Sequence, residues 1–117
     1  VELARLKGCA VVASGAEDVV TDGDRVLLVG NGHSAMASVV GTGCMMSTMI
    51  GCFAAVSGQA VEAAAAAAAA FGIAGEWAAA EASGPGTLYP ALIDAVHRMS
   101  AADLAAEANV RQIAPPQ

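Results

Sequence analysis

The chain has 117 residues, enough for one domain at most, and it carries a net charge of −6. It has no basic run and no interleaved aromatic residues, which argues against nucleic acid and anionic membrane surfaces as partners. Hydrophobic residues make up 56 % of it, yet 30 positions are Ala and only 3 % are aromatic.

An Ala methyl buries little area, and burial stabilises by roughly 25 cal/mol per Å². The core is therefore expected to be thin for its length, with apolar faces covered by further chain or by neighbouring subunits. The longest uncharged apolar stretches, residues 44–59 and 63–75, contain Gly or Ser. Both fall short of the ~18 residues that cross a bilayer. No signal-peptide pattern opens the chain and its first residue is Val1, so further sequence is expected upstream. Cys9, Cys44 and Cys52 are odd in number and lack paired spacing. That argues against a disulfide framework or a zinc site and for a reducing cytoplasm.

In chain order, residues 2–7 read as a helix end stopped by Gly8. Cys9-Ala10-Val11-Val12-Ala13, closed by Ser14-Gly15, suits a buried strand. Residues 18–21 and 25–29 flank Asp22-Gly23-Asp24, a hairpin signal because Gly tolerates the positive φ of the turn. Gly30-Asn31-Gly32-His33 forms a loop. Gly41-Thr42-Gly43 then opens an apolar segment, residues 44–56, which is expected to be a buried helix.

Residues 59–82 predict a second, longer helix of high Ala propensity. Ser83-Gly84-Pro85-Gly86 breaks it. Residues 87–99 predict a third helix with Leu88, Leu92, Ala95, Val96 and Met99 on one side. Ser100, with Asp103 three residues on, begins a fourth through a near capping box. The tail from Ala114 is expected to be loose. The predicted fold is α/β, a single partial domain over residues 1–117, with short strands and a hairpin followed by a block of helices.

The segment from Gly41 to Thr48 is the most informative chemically. Glycines let backbone approach a ligand closely. The first amides of the helix that follows lack intrahelical partners, and the dipole places partial positive charge on them. A phosphate suits such an end, although no Gly-Lys-Ser/Thr follows to make a Walker loop. A tight turn is the plainer reading of the same glycines. Cys44 falls in the first helical turn, where the dipole favours a thiolate. Cys9 and Cys52 read instead as small buried hydrophobes.

Ser14 ends the first strand, and a hydroxyl beyond a strand's carboxyl end can donate to phosphate. A structural Ser-Gly turn is the alternative. His33 fits a loop or cap better than a ligand contact. His97 fits a solvated helix face or a partner of the helix C-terminus. The five methionines fit core packing, Trp77 fits a packing anchor, and Glu76 has no evident role.

Six segments in this order resemble the C-terminal half of the hydroxyethylthiazole kinases, a branch of the ribokinase-like fold. They are Val11-Val12-Ala13-Ser14-Gly15, Asp18-Val19-Val20-Thr21-Asp22-Gly23, Asn31-Gly32-His33, Val40-Gly41-Thr42-Gly43-Cys44-Met45, Phe71-Gly72-Ile73-Ala74-Gly75-Glu76 and Ser83-Gly84-Pro85-Gly86. The resemblance covers about residues 9–104. Gly-Thr/Ala-Gly-Cys separates this family from most ribokinase-like relatives, which carry Asp at the last position.

The resemblance implies transfer of the ATP γ-phosphoryl group, with Mg²⁺, to the hydroxyethyl side chain of 4-methyl-5-(2-hydroxyethyl)thiazole. By position, Ser14 would contact ATP phosphates, where the family usually has Thr. Gly41 would line the substrate and the transferred phosphate. The amides of Thr42, Gly43 and Cys44 would form the anion hole, with Cys44 beside the attacking alcohol. Val40 stands where Thr is frequent. The acidic Mg²⁺ ligands, an ATP-binding Arg and much of the thiazole pocket belong to the family's N-terminal half. Family members form trimers, so a homotrimer or association with that half is implied.

Two other readings stand beside this one. Another ribokinase-like enzyme, of the hydroxymethylpyrimidine phosphate kinase or nicotinamide-nucleotide hydrate dehydratase type, is disfavoured by Cys44 and by Ser83-Gly84-Pro85-Gly86. The other is a non-catalytic assembly or nucleotide-binding module.

Overall fold

The Asp22-Gly23-Asp24 turn sets the register of the sheet. Gly23 sits at φ 101°, as the turn demands. Thr21 Oγ1 accepts the Gly23 N–H at 3.0 Å and donates to the Arg25 carbonyl at 2.6 Å. The Asp22 carboxylate accepts the amides of Asp24 and Arg25 at 3.0 and 2.8 Å, and the Arg25 guanidinium lies on its other oxygen. Hydrogen bonds from Arg25 hold the Asp22 carboxyl down at about 2. Its contribution to stability is thus present above pH 3.8 and lost as the pH falls towards 2. Arg25 also pairs with Glu62, tying the turn to the helix behind it.

In this computed structural model, which describes residues 1–117, β2 (Asp18–Thr21) and β3 (Val26–Val29) pair antiparallel with Thr21 opposite Val26. β1 (Val11–Ala13) flanks β2, and β4 (Val110–Ile113) flanks β3. The sheet is antiparallel throughout, in the order β1-β2-β3-β4. The helices are α1 (Glu2–Lys7), α2 (Thr42–Ala55), α3 (Ala60–Glu81), α4 (Pro85–Arg98) and α5 (Ala101–Glu107), with a 3-10 turn over Ser34–Ser38.

α3 is the centre of the molecule. It touches α2, α4, α5, β2, β3 and the 3-10 turn. A helix covered on every side must be apolar all round, and its neighbours approach closely only where side chains are small. The run Ala63 to Ala70 meets both conditions. A Cβ on Gly72 would lie 2.6 Å from the Asn31 carbonyl, and one on Gly75 would lie 2.1 Å from Met36 Sδ. Its 22 residues, with a mean hydropathy of 1.3 over the most apolar window, meet the length and composition of a membrane span, which the sequence stretches alone did not suggest. Most of that window is buried inside the fold, so α3 is a core helix.

α4 lays Leu88, Leu92 and Ala95 onto α3 as the periodicity predicts. It starts at Pro85, two residues earlier than expected, since Pro in a first turn forfeits no intrahelical hydrogen bond. Ser100 and Asp103 form a complete capping box for α5. Arg98 lies over the Trp77 ring at 5.3 Å and pairs with Glu81, so Trp77 anchors the end of α4 to α3.

Four expectations need correction. α2 is not buried: Met46 alone is enclosed, while Val40 and Val56 beside it are 96 % and 89 % exposed. Apolar composition cannot bury a helix when no layer of this chain lies over its outer face. Cys9 and Cys52 are exposed for the same want of cover. The first strand is three residues long, not five. The helices do not end the fold, because β4 returns to pair with β3. The polar pair Arg111-Gln112 hid this strand, whose four residues are all exposed at the sheet edge.

Asn31 fixes that return. Its side chain donates to the Glu107 carbonyl at 2.9 Å and accepts the Asn109 amide at 2.7 Å. The Gly30 amide donates to the Asn109 carbonyl at 2.9 Å.

Three stability measurements follow from this packing. Gly72→Ala should cost about 1–3 kcal/mol in urea unfolding, because the new methyl meets backbone that cannot yield. Gly51→Ala, mid-helix and facing open space, should gain up to about 1 kcal/mol. Asn31→Ala should cost about 2–4 kcal/mol by the same assay, since it strands two partners on the β4 approach.

Candidate active site

The loops around the middle of α3 enclose one cleft of about 600 Å³. One wall is the β1–β2 connection, with Ser14, Gly15 and Ala16, and Asp18 opening β2 beside it. A second is the stretch from Asn31 to Ala37, and a third is the start of α2 with Thr42, Gly43 and Met46. Ala68, Phe71 and Gly72 of α3 form the floor.

Gly41 is the N-cap of α2 at φ 101° and ψ −2°. This left-handed geometry strains any residue with a side chain, so Gly alone turns the chain into the helix at no cost. Met45 donates to the Gly41 carbonyl at 3.0 Å, the first bond of the helical ladder. The amides of Thr42, Gly43 and Cys44 lie ahead of it and have no intrahelical acceptor. No side chain caps this end. The hydroxyls of the first turns point their bonds the other way: Thr42 donates to the Met36 carbonyl, Ser47 to Gly43 and Thr48 to Cys44. A Cβ on Gly43 would meet nothing within 4 Å, so the space beside this residue is open.

The structure thus brings Ser14, Thr42 and Gly43 to one cleft. Ser14 reaches the cleft from the loop after β1, at the carboxyl end of a strand in an antiparallel sheet. Gly41 and Cys44 flank the cleft in sequence but do not line it, and Cys44 is exposed at the first turn of α2. His33 caps the 3-10 turn, its Nδ1 accepting the Ala35 amide at 3.0 Å. Its proton must then sit on Nε2 whenever that cap is made.

Asp18 is the residue the sequence reading passed over. It is 8 % exposed, and its Oδ1 accepts the Gly15 amide at 3.0 Å. Burial pushes its carboxyl above the ordinary 3.8, and the Gly15 hydrogen bond opposes the shift. The sign follows: its contribution to stability is whole below pH 3.8 and is lost as the pH rises through the raised value. The three-residue spacing from Gly15 to an Asp was the available signal, since Asp side chains commonly bond nearby backbone in turns. No three His, Cys, Asp or Glu residues converge as a metal site.

Comparison with known proteins agrees with this architecture. Residues 1–102 match the model of the Hydroxyethylthiazole kinase family. The chain is 51 % identical to a hydroxyethylthiazole kinase of Methanoculleus marisnigri over 111 residues, covering 95 % of this chain and 40 % of the relative. It is 46 % identical to one of Chloroflexus aurantiacus over 112 residues, covering 96 % and 42 %. The solved hydroxyethylthiazole kinase of Pyrococcus horikoshii superposes with a TM-score of 0.89 at 38 % identity, over 94 % of this chain and 43 % of that one. The chain spans about 40 % of the length of such relatives. An α/β fold with this cleft, matched over nearly its whole length, belongs to the hydroxyethylthiazole kinase family.

Proposed function

We propose that this chain supplies the phosphate-handling part of a kinase that transfers the γ-phosphoryl group of ATP to the hydroxyethyl group of 4-methyl-5-(2-hydroxyethyl)thiazole. The observation that carries this reading is the uncapped start of α2, where Thr42 and Gly43 line a cleft that Ser14 shares. In the transfer, the alcohol oxygen bonds to the γ-phosphorus as the bridging bond to ADP breaks, and the alcohol proton leaves. Such transition states are loose, so positioning and charge stabilisation dominate. The amides of Thr42, Gly43 and Cys44 stabilise negative charge on the moving phosphoryl oxygens. Ser14 donates to the phosphate tail, and Gly41 borders substrate and phosphate.

Cys44 is the catalytic candidate at this end. Its role is that of a modest base or a positioning group for the alcohol. Mg²⁺ belongs to the same proposal. The residues present do not by themselves fit a magnesium site, since Asp18 is the only carboxylate lining the cleft and one of its oxygens is taken by Gly15. No step here runs through the metal.

Val40 and Val56, exposed beyond the two ends of α2, support a homotrimer or association with the family's N-terminal half. Three free, exposed thiols accord with a reducing cytoplasm. A nucleotide-binding module without turnover is the second reading, favoured by the lack of a converging acidic set in this chain.

The deciding assay joins the chain to the portion of the Methanoculleus relative that it does not match and offers thiazole alcohol or pyrimidine alcohol with ATP. Phosphorylation of the thiazole alcohol alone is expected. Preference for the pyrimidine alcohol contradicts the reading, and ATP binding with neither product favours the module. In the same protein, Cys44→Ala should lower kcat about 10–100-fold while Cys44→Asp retains or raises it. An alanine variant with unchanged kinetics removes Cys44 from the mechanism. Gly43→Val should lower kcat further, by about 100–1000-fold, through blocking the amides.

A further inference from the structure

Asp18 is an unexpected residue to find in a cleft that receives phosphate. A carboxylate there repels the ligand, and no Lys or Arg lines the cleft to neutralise it. Burial also disfavours its charge. What it gains in return is one short-range bond: Oδ1 takes the Gly15 amide at 3.0 Å, across the corner that carries Ser14. The two ends of that bond belong to different parts of the fold. Asp18 is fixed in β2, paired with Val29 of β3, and is largely enclosed. Ser14 and Gly15 lie in an exposed loop that pairs with no strand. Arg111 of β4 holds the far end of this loop by donating to the Glu17 carboxylate at 3.0 and 3.2 Å, but at the Ser14-Gly15 corner the Asp18 acceptor is the tie to the sheet.

Resting on the kinase reading, we propose that Asp18 is a positioning residue: by accepting the Gly15 amide it holds the Ser14-Gly15 corner in the one shape in which Ser14 meets the nucleotide phosphates. The acceptor oxygen is what matters, not the charge. Asn at this position keeps an oxygen where Oδ1 stands, and Ala removes it.

The test uses the full 117-residue chain with Asp18→Ala and Asp18→Asn, reading amide hydrogen exchange at Gly15 and ATP affinity by titration. In the Ala variant, Gly15 exchange should quicken about tenfold or more and the ATP Kd should rise about tenfold. In the Asn variant both should stay within about twofold of the parent, a rescue that a lost charge would not allow. An Ala variant that binds ATP like the parent overturns the proposal, and so does an Asn variant as weak as the Ala one. A parent chain that binds no ATP counts against the kinase reading instead. The exchange measurement still decides in that case, because an Ala variant with Gly15 protection unchanged overturns the role of Asp18.

Discussion

The close approach of backbone to α3 is the constraint on which the rest of this structure depends. A single helix of 22 residues must touch a sheet, two long helices and the loop that walls the cleft. Larger side chains would hold those neighbours apart. Ala on most faces, and Gly where Asn31 and Met36 press in, let them close. The cleft floor is made of the same residues, so the packing that holds the fold together also sets the depth of the site. The core gains little area per residue from this arrangement, and its rigidity rests more on fit than on bulk.

Against that floor, the site is assembled from backbone more than from reactive side chains. Gly41 adopts a left-handed turn, no side chain caps α2, and its first three amides have no intrahelical acceptor. Natural helices usually satisfy these groups with a Ser, Thr, Asp or Asn before the first turn. Here Thr42 spends its hydroxyl on Met36, and the residue before the helix has no side chain at all. An end left bare in this way stabilises an incoming anion without any reorganisation of protein dipoles. That economy of parts suits the phosphoryl transfer proposed for this chain.

Much of this was legible in the sequence because local chemistry governs it. Asp22-Gly23-Asp24 dictates its hairpin, Ser100 with Asp103 dictates a cap, and Gly41-Thr42-Gly43 marks the bare helix start. Ser14, Thr42 and Gly43 could be placed together only because six short segments fell in a known order. What stayed hidden depends on partners far away along the chain. β4 is exposed and polar at its centre, and it is held by pairing with β3 and by the Asn31 side chain, 78 residues from Asn109. The exposure of α2 was hidden too, since hydropathy reports what a helix would bury and not whether anything lies there to bury it. Asp18 read as an ordinary strand residue because its one telling bond is to backbone.

Amide chemical shifts during an ATP titration decide whether the first amides of α2 receive phosphate. The resonances of Thr42, Gly43 and Cys44 should move together and saturably, with Ser14 following and the exposed end of α2 near Val56 unmoved. Saturable binding that shifts other residues and leaves those three amides in place would contradict phosphate binding at this end.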